Sequence, residues 1–455
     1  MHQLDLTEGV IWKTLLRYST PIVLSSVLQS AYAITDLMVA SFFIGKAGVS
    51  AINNAGQIVV ILTQIIMGIA TGGNILMGQF YGSKNHKGRH ETNVTLLSLA
   101  LAAGVCMAIL VFLGGRSMLL ALDAPALEEA TAYIRICAFG LLPVFGYNAC
   151  ASMIRAVGNS KQPFYCVLVT VIVNVVLDIL FIGAFQWGVQ GAALATVIAQ
   201  CISFLVSLVY VLKYRDLFQV SLRHLYIKLD KLKTMLRLGI PSAVQMTIVG
   251  MSWLLMTFLI NQYGIEASAA SGYCVKIKDF AQMFTIALSS AAATVVAQCL
   301  GAGKFQRASR VVHVAMRLAI GVAVLLIVGI ELLAPQLIEL FRPDETTASL
   351  AILNLRIEII SLVFYASFMV YNALPMGAGH TLFALGSSLL NCILVRVVLA
   401  VILDRSFGLV GVYWACMIAP ISSVPLGYLY ERSGVWRKSL DKGTEQTPQT
   451  ATEER

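Results

Sequence analysis

A long apolar segment near the start of the chain reads "LLRYSTPIVLSSVLQSAYAITDLMVASFFIG", residues 15–45. Its apolar run is longer than the roughly 20 residues that a helix needs to cross the hydrocarbon core of a bilayer. Arg17 near the beginning and Asp36 well inside are its only charged side chains. A carboxylate at the centre of a membrane helix costs about 2.5–3.5 kcal/mol on insertion scales. Asp36 is therefore expected to serve a function.

The rest of the chain repeats this composition. Of the 455 residues, 58% are hydrophobic and 12% are charged, which is about half the charged share of an ordinary soluble protein. The runs of membrane-spanning length lie near 15–43, 51–80, 93–115, 130–152, 162–185, 190–212, 236–260, 267–297, 311–340, 353–376, 381–403 and 408–430. Lipid offers the backbone no hydrogen-bond partners, so spans of this length must be helical. We predict an all-α polytopic membrane protein with twelve transmembrane helices.

Lysine and arginine are concentrated in every second loop. The loops at 84–89, 155–161, 213–235 and 304–310 carry most of the basic residues that lie between spans, and the alternate loops carry few. This positive-inside pattern predicts a multi-pass protein in a cell membrane, of the bacterial inner-membrane type, with both termini in the cytoplasm. The net charge of +9 is then explained by these loops, and we expect no nucleic-acid partner.

The second half of the chain repeats the first at a nearly constant offset. The paired segments are "LLRYSTPIVLS" (15–25) with "MLRLGIPSAVQ" (235–245), "GQFYGSK" (78–84) with "AQCLGAGK" (297–304), "IRAVGNSKQP" with "PMGAGHTLFA", and "GVQGAALAT" (188–196) with "GLVGVYWAC" (408–416). Because each half has an even number of spans, the two halves have the same orientation in the membrane, which is a parallel repeat. Such duplications typically surround a central cavity and suit alternating access.

The repeat predicts four segments. An N-terminal lobe of helices 1 to 6 occupies 1–212, and a basic cytoplasmic linker follows at 213–235. A C-terminal lobe of helices 7 to 12 occupies 236–432. The remaining tail, 433–455, is polar, and we expect it to be disordered and cytoplasmic.

A series of motifs lies along the chain in this order: Pro21, Asp36, the GQ..G turn at 78–82, "RAVGNSKQP", "NVVLD" at 174–178 and "GAALAT". In these motifs and in their order, the chain resembles the multidrug and toxic compound extrusion (MATE) family. The resemblance covers essentially the whole chain and is nearest to the DinF-like branch. It implies a V-shaped transporter of two lobes around a central cavity, working as a monomer in the lipid bilayer. It also implies an antiporter that exports amphipathic, often cationic, drugs or toxic organic compounds in exchange for protons or sodium ions.

The resemblance further implies a polar cluster in the first lobe. The residues that match it are Pro21, Tyr32, Asp36, Asn174, Asp178 and Thr196. Helical spacing agrees, since Gln29, Tyr32 and Asp36 follow one another at i, i+3 and i+7, and Asn174 and Asp178 at i and i+4. We expect Asp36 and Asp178 to share one pocket, where burial and a neighbouring carboxylate favour uptake of a proton.

Sodium is the other candidate ion for this cluster, held by the oxygens of Asp36, Asp178, Asn174 and Thr196. Apart from the coupling ion we expect no cofactor and no metal. The NorM-like branch of the family carries an extra acid in helix 7, which "MLRLGIPSAVQMTIVGMSWLLMTFLI" lacks. We therefore expect no cation site in the second lobe. Pro21 is either a gating hinge of helix 1 or an ordinary proline kink.

Candidate residues for the wall of the substrate cavity are apolar, aromatic or cationic. They are Gln29, Met246, Trp253, Met256, Tyr273, Lys276 and Arg396. A methionine or aromatic stripe on a membrane helix is also the ordinary result of packing.

Two other functions are alternatives to antiport. A flippase for a lipid-linked saccharide is the main alternative, because basic residues in the second half could meet a pyrophosphate group. An enzyme is not expected, since the sequence shows no nucleophile with a base, no metal-ligand set and no paired acids at catalytic spacing.

Overall fold

The computed structural model describes residues 5–121, 126–220 and 225–437, and these residues are helical apart from short connections. Eleven helices in this part of the chain are long and apolar enough to cross a membrane. The helices Glu345–Ile359 and Ser361–Ala378 meet at an angle of 41° and together form a twelfth span. The predicted all-α fold with twelve spans is therefore confirmed. The last residues of the predicted tail, 438–455, lie outside the described residues.

The first six spans are α1 Ile11–Phe43, α2 Gly45–Gly82, α3 His86–Ala121, α4 Leu127–Ala156, α5 Lys161–Ala184 and α6 Gly188–Lys213. The second six are α7 Leu229–Asn261, α8 Ile265–Gly301, α9 Phe305–Glu339, α10 formed by the bent pair, α11 Thr381–Phe407 and α12 Leu409–Ser433. A single helical turn, Arg215–Phe218, follows α6. The first turns of α7 thus lie inside the stretch that the sequence assigns to the linker.

Ordinary helix-end chemistry sets several of these boundaries. The Asp344 side chain accepts a hydrogen bond from the Thr347 backbone N–H at 3.1 Å and begins α10, as expected for an N-cap. Gly379 ends the same span with φ of 82°, a left-handed conformation that glycine adopts without a Cβ penalty.

Each half has its own apolar core, but the beginning of the first helix of each half is buried in the core of the other half. Met235 and Leu238, at the start of α7, are buried in the core of the first half. Leu15 and Tyr18, at the start of α1, are buried in a core of the second half. The lobe boundaries drawn from the sequence do not include this crossing. A repeat in sequence shows which segments correspond, but not which neighbours a helix end contacts.

The two halves meet through a reciprocal pair of hydrogen bonds near the ends of α2 and α8. The Gln79 Nε2 donates to the Gly377 carbonyl at 3.0 Å, and the Gln298 Nε2 donates to the Ala156 carbonyl at 2.6 Å. In the repeat Gln79 corresponds to Gln298 and Ala156 to Gly377, so one contact is made twice. Both glutamine side chains are buried.

Glycine permits this close approach. A Cβ added at Gly82 would collide with the Gln298 carbonyl, and one added at Gly301 would collide with the Gln79 carbonyl. These two glycines are equivalent in the repeat. Side chains would therefore force the two halves apart at this end, which also carries the basic loops.

Candidate functional site

Asp36 and Asp178 face each other between α1 and α5. Asp178 is the last residue of the α-helical part of α5, which continues as a π-helical segment at Ile179–Ala184. Widened π turns often occur at functional sites in helices. Asp178 and Asn174 are each 1% exposed. The two carboxyl groups lie close enough to share a hydrogen bond when one of them is protonated.

Neighbouring polar groups complete the site. With the Asn174 amide oriented to satisfy both partners, its nitrogen donates to Asp178 Oδ2 at 2.9 Å and its oxygen accepts from the Thr196 backbone N–H at 3.2 Å. The Tyr32 hydroxyl lies within hydrogen-bonding reach of the Thr196 side chain. The structure thus brings together the five residues that we name the acid pocket: Tyr32, Asp36, Asn174, Asp178 and Thr196.

The acid pocket has unused acceptors. Asp36 Oδ1 and Asp178 Oδ1 are buried and have no hydrogen-bond partner among the described residues. Two neighbouring carboxyl groups in a low-dielectric site cannot both be ionised cheaply, so the pair favours a shared proton or a bound cation. Carboxylate, amide and hydroxyl oxygens suit a hard cation such as sodium. No cluster of three or more His, Cys, Asp or Glu side chains suited to a metal occurs in the described ranges.

Sequence reasoning missed two members of this neighbourhood, Tyr133 and Cys137 on α4. Both lie close to Tyr32 and Asp36, and the two side chains are within hydrogen-bonding reach of each other. Their i, i+4 spacing places them on one helix face. The spacing is the one feature of the sequence that could have indicated a role for this pair. It is weak evidence, because an isolated Tyr and Cys in an apolar helix are usually packing residues.

Pro21 lies in the part of α1 that contacts the second half. The helix continues through it from Ile11 to Phe43, and the Pro21 carbonyl accepts a hydrogen bond from Ser25 Oγ at 2.8 Å. One turn earlier, the Tyr18 hydroxyl donates to the Arg155 carbonyl at 2.7 Å. The role of Pro21 as a hinge stays a prediction.

A central cavity of about 720 Å³ lies between the halves, with walls from α2 and α4 on one side and from α7, α8, α10, α11 and α12 on the other. Three of the predicted wall residues line it: Met246, Trp253 and Arg396. Lys278 also lines it.

The other four predicted wall residues lie outside this lining. Met256 is fully buried in an apolar cluster of the second half, and the Tyr273 ring stacks on Phe341 with centroids 4.7 Å apart. Gln29 and Lys276 are exposed on their helices. The predicted residues placed α7, α8 and α11 at the cavity wall, and these helices do line it, although Gln29 on α1 does not and several of the predicted turns face elsewhere.

Lys278 forms a buried ion pair with Glu358 of α10, and each side chain is 4% exposed. The Lys278 ammonium lies 4.3 Å from the centroid of the Trp253 ring, and the Arg396 guanidinium lies 5.0 Å from the same ring. The Glu358 partner was not predicted, because it lies on a different helix and far along the chain. Within the second half, charge is thus concentrated beside the cavity.

Comparisons with known proteins agree with this architecture. The MatE family model matches residues 21–180 and 241–402, one segment in each half. The protein named "Probable multidrug resistance protein YoeA" of Bacillus subtilis (strain 168) is 29% identical over 94% of this chain and 95% of its own length. The "Multidrug export protein MepA" of Staphylococcus haemolyticus (strain JCSC1435) is 22% identical, covering 90% of this chain and 91% of that protein.

A solved structure has the same fold. It is described as the outward-facing conformation of a multidrug resistance MATE family transporter of the MOP superfamily, and it aligns with a TM-score of 0.89 at 22% identity. The alignment covers 95% of this chain and 98% of that one. With the family model matched in both halves and the fold shared along almost its whole length, the chain belongs to the MatE family, whose members are membrane transporters and not enzymes.

Proposed function

We propose that this chain is a secondary active antiporter that exports amphipathic small molecules in exchange for protons or sodium ions. The observation that carries the proposal is the close approach of the carboxyl groups of half-buried Asp36 and buried Asp178. A membrane protein that keeps two acids in contact inside one half holds a site whose charge changes when it binds a cation. The names of the relatives, multidrug resistance and multidrug export proteins, support the substrate side.

Helix α1 offers a physical route from the ion to the substrate path. One part of it carries Asp36 into the acid pocket, and its beginning packs Leu15 and Tyr18 into the other half. An ion that neutralises Asp36 changes how α1 packs against α5. Because the same helix contacts both halves, that change alters the contact between them, which is what alternating access requires.

The orientation follows from charge. The reciprocal Gln79 and Gln298 contacts close the end of the molecule that carries Lys84, Lys304 and Arg307. Basic loops remain on the cytoplasmic side of a membrane. We assign the closed end to the cytoplasm, in a bacterial inner membrane, so the conformation described is one whose cytoplasmic entrance is shut.

A flippase for a lipid-linked saccharide is the second candidate, and the cationic side chains of Lys278 and Arg396 in the cavity wall favour it. Expression in a drug-sensitive host separates the two functions. An exporter raises tolerance to several unrelated amphipathic compounds, whereas a flippase leaves tolerance unchanged.

Coupling is tested in proteoliposomes loaded with a fluorescent amphipathic dye. An imposed pH gradient and, separately, an imposed sodium gradient are applied, and dye movement is followed. Acceleration by one of the two gradients supports antiport and identifies the ion. Equal movement with both gradients and with none contradicts it.

A further inference from the structure

The central cavity is lined by positive charge alone. Its cationic lining residues are Arg155, Lys278 and Arg396, and no Asp or Glu of the described chain lines it. Glu358 neutralises Lys278 from behind the wall. Arg396 has no acidic partner within salt-bridge distance among the described residues, so its charge is directed toward the cavity.

Unpartnered polar atoms occur on three residues of the cavity wall. Arg396 is 5% exposed, and its Nε has no hydrogen-bond partner in the described chain. Asn372 Nδ2 is likewise unpartnered, as are both Nδ2 and Oδ1 of Asn391. All three residues line the same cavity. A buried polar group left unpaired costs free energy, so this part of the wall favours a polar ligand group beside it.

The Arg396 guanidinium is held in place. Its Nη1 lies 3.4 Å from Ser252 Oγ, and its Cζ lies 5.0 Å from the centroid of the half-buried Trp253 ring. A planar guanidinium that stacks on an aromatic ring and lines a cavity suits a carboxylate, sulfonate or phosphate group.

Helix α11, which carries Arg396, corresponds in the internal repeat to α5, which carries Asn174 and Asp178. Each helix contains a π-helical stretch, Ile179–Ala184 in α5 and Leu390–Val395 in α11, at different positions along the helix. The first half therefore presents an acid from this helix, and the second half presents an arginine to the central cavity.

We infer that the second half holds an anion-binding subsite, formed by Arg396, Asn391 and Asn372, and that the exported compounds include amphiphiles bearing a single anionic group. The apolar part of such a compound lies along Met246, Met369 and Trp253, which line the same cavity. This inference rests on the proposed export function for its biological meaning. On this inference the two binding sites lie in different halves. The coupling cation binds the acids of the first half, and the substrate anion binds the arginine of the second.

Equilibrium binding tests the subsite without any gradient. The full chain in lipid nanodiscs is titrated with dansyl-L-phenylalanine, which carries a carboxylate, and with dansyl-L-phenylalaninamide, which is the same molecule without that charge. Dansyl fluorescence reports binding, and empty nanodiscs supply the background. We expect the carboxylate probe to bind about tenfold more tightly than the amide, as one charge-assisted hydrogen bond allows.

The variant Arg396→Gln should lose this preference and retain the affinity for the amide, which also shows that it is folded. Arg396→Lys should keep part of the preference. The matched control is Arg405→Gln, which removes the same charge from the exposed end of α11 outside the cavity, and it should bind both probes as the parent does. Equal affinity of the parent for both probes, or an unchanged preference in Arg396→Gln, overturns the subsite. Failure of gradient-driven export with the preference intact would instead count against the proposed antiport alone.

Discussion

The carboxyl groups of Asp36 and Asp178 lie within hydrogen-bonding reach of each other, although α1 and α5 bring them from distant parts of the sequence. Asn174 donates to one of them at 2.9 Å, and an oxygen of each remains unpartnered in the described chain. This contact is the basis for assigning ion coupling to the first half.

The orientation is tested at Lys228, an exposed residue just before α7. In a background without native cysteines, Lys228→Cys should react with a membrane-impermeant maleimide only when the cytoplasmic face is accessible. Thr346→Cys, exposed near the start of α10 at the opposite end, is the matched site and should react from outside intact cells. Labelling of Lys228→Cys from outside would reverse the topology.

The close contact of the halves is tested at Gly82. A methyl group there collides with the Gln298 carbonyl, so Gly82→Ala should disfavour the closed end by about 1–3 kcal/mol, the usual cost of overpacking. Spin labels at Lys87 and Gln306, both exposed at the equivalent starts of α3 and α9, should report a longer mean distance by pulsed electron paramagnetic resonance.

The control for this measurement is Gly329→Ala on α9, where a Cβ would meet no atom within 4 Å. It should leave the distance distribution unchanged. A Gly82→Ala distribution identical to that of the parent would show that the Gln79 and Gln298 contacts do not close this end.

The buried ion pair is tested through stability. Glu358→Gln leaves the Lys278 charge without its partner at a site where both side chains are 4% exposed. Breaking one side of a buried pair costs about 3–5 kcal/mol, whereas replacing both with apolar residues is often neutral. Thermal unfolding in detergent should therefore show a large loss for Glu358→Gln and recovery in the double variant Glu358→Leu with Lys278→Met. A double variant as unstable as the single one would contradict the pairing.

Much of the fold follows from the sequence because one physical constraint dominates it. Apolar length fixes the spans, and the duplicated segments fix the two halves. Within the spans, helical spacing put Tyr32 and Asp36 on one face and Asn174 and Asp178 on another, and these faces do meet. Such inferences work when the required partners lie on the same helix or when the residue type is costly in lipid.

Contacts between distant helices could not be read in the same way. Glu358 pairs with Lys278 from another span, and nothing local to either residue indicates the other. Met256 was expected at the cavity wall but is buried in packing, because a hydrophobic side chain suits both environments. The crossing of α1 and α7 into the opposite cores also depends on tertiary packing, which the repeat does not encode.

The account is tested most directly by gradient-driven efflux in proteoliposomes containing Asp36→Asn, which keeps the size of the side chain and removes its charge. The control is Asp279→Asn, the same substitution at an exposed acid of α8 outside the acid pocket. Both variants must reconstitute to the level of the parent. We predict that Asp36→Asn, and likewise Asp178→Asn, abolishes the acceleration of efflux by the coupling gradient while Asp279→Asn retains it. Parental gradient-driven efflux by Asp36→Asn would show that this acid is structural and that coupling lies elsewhere.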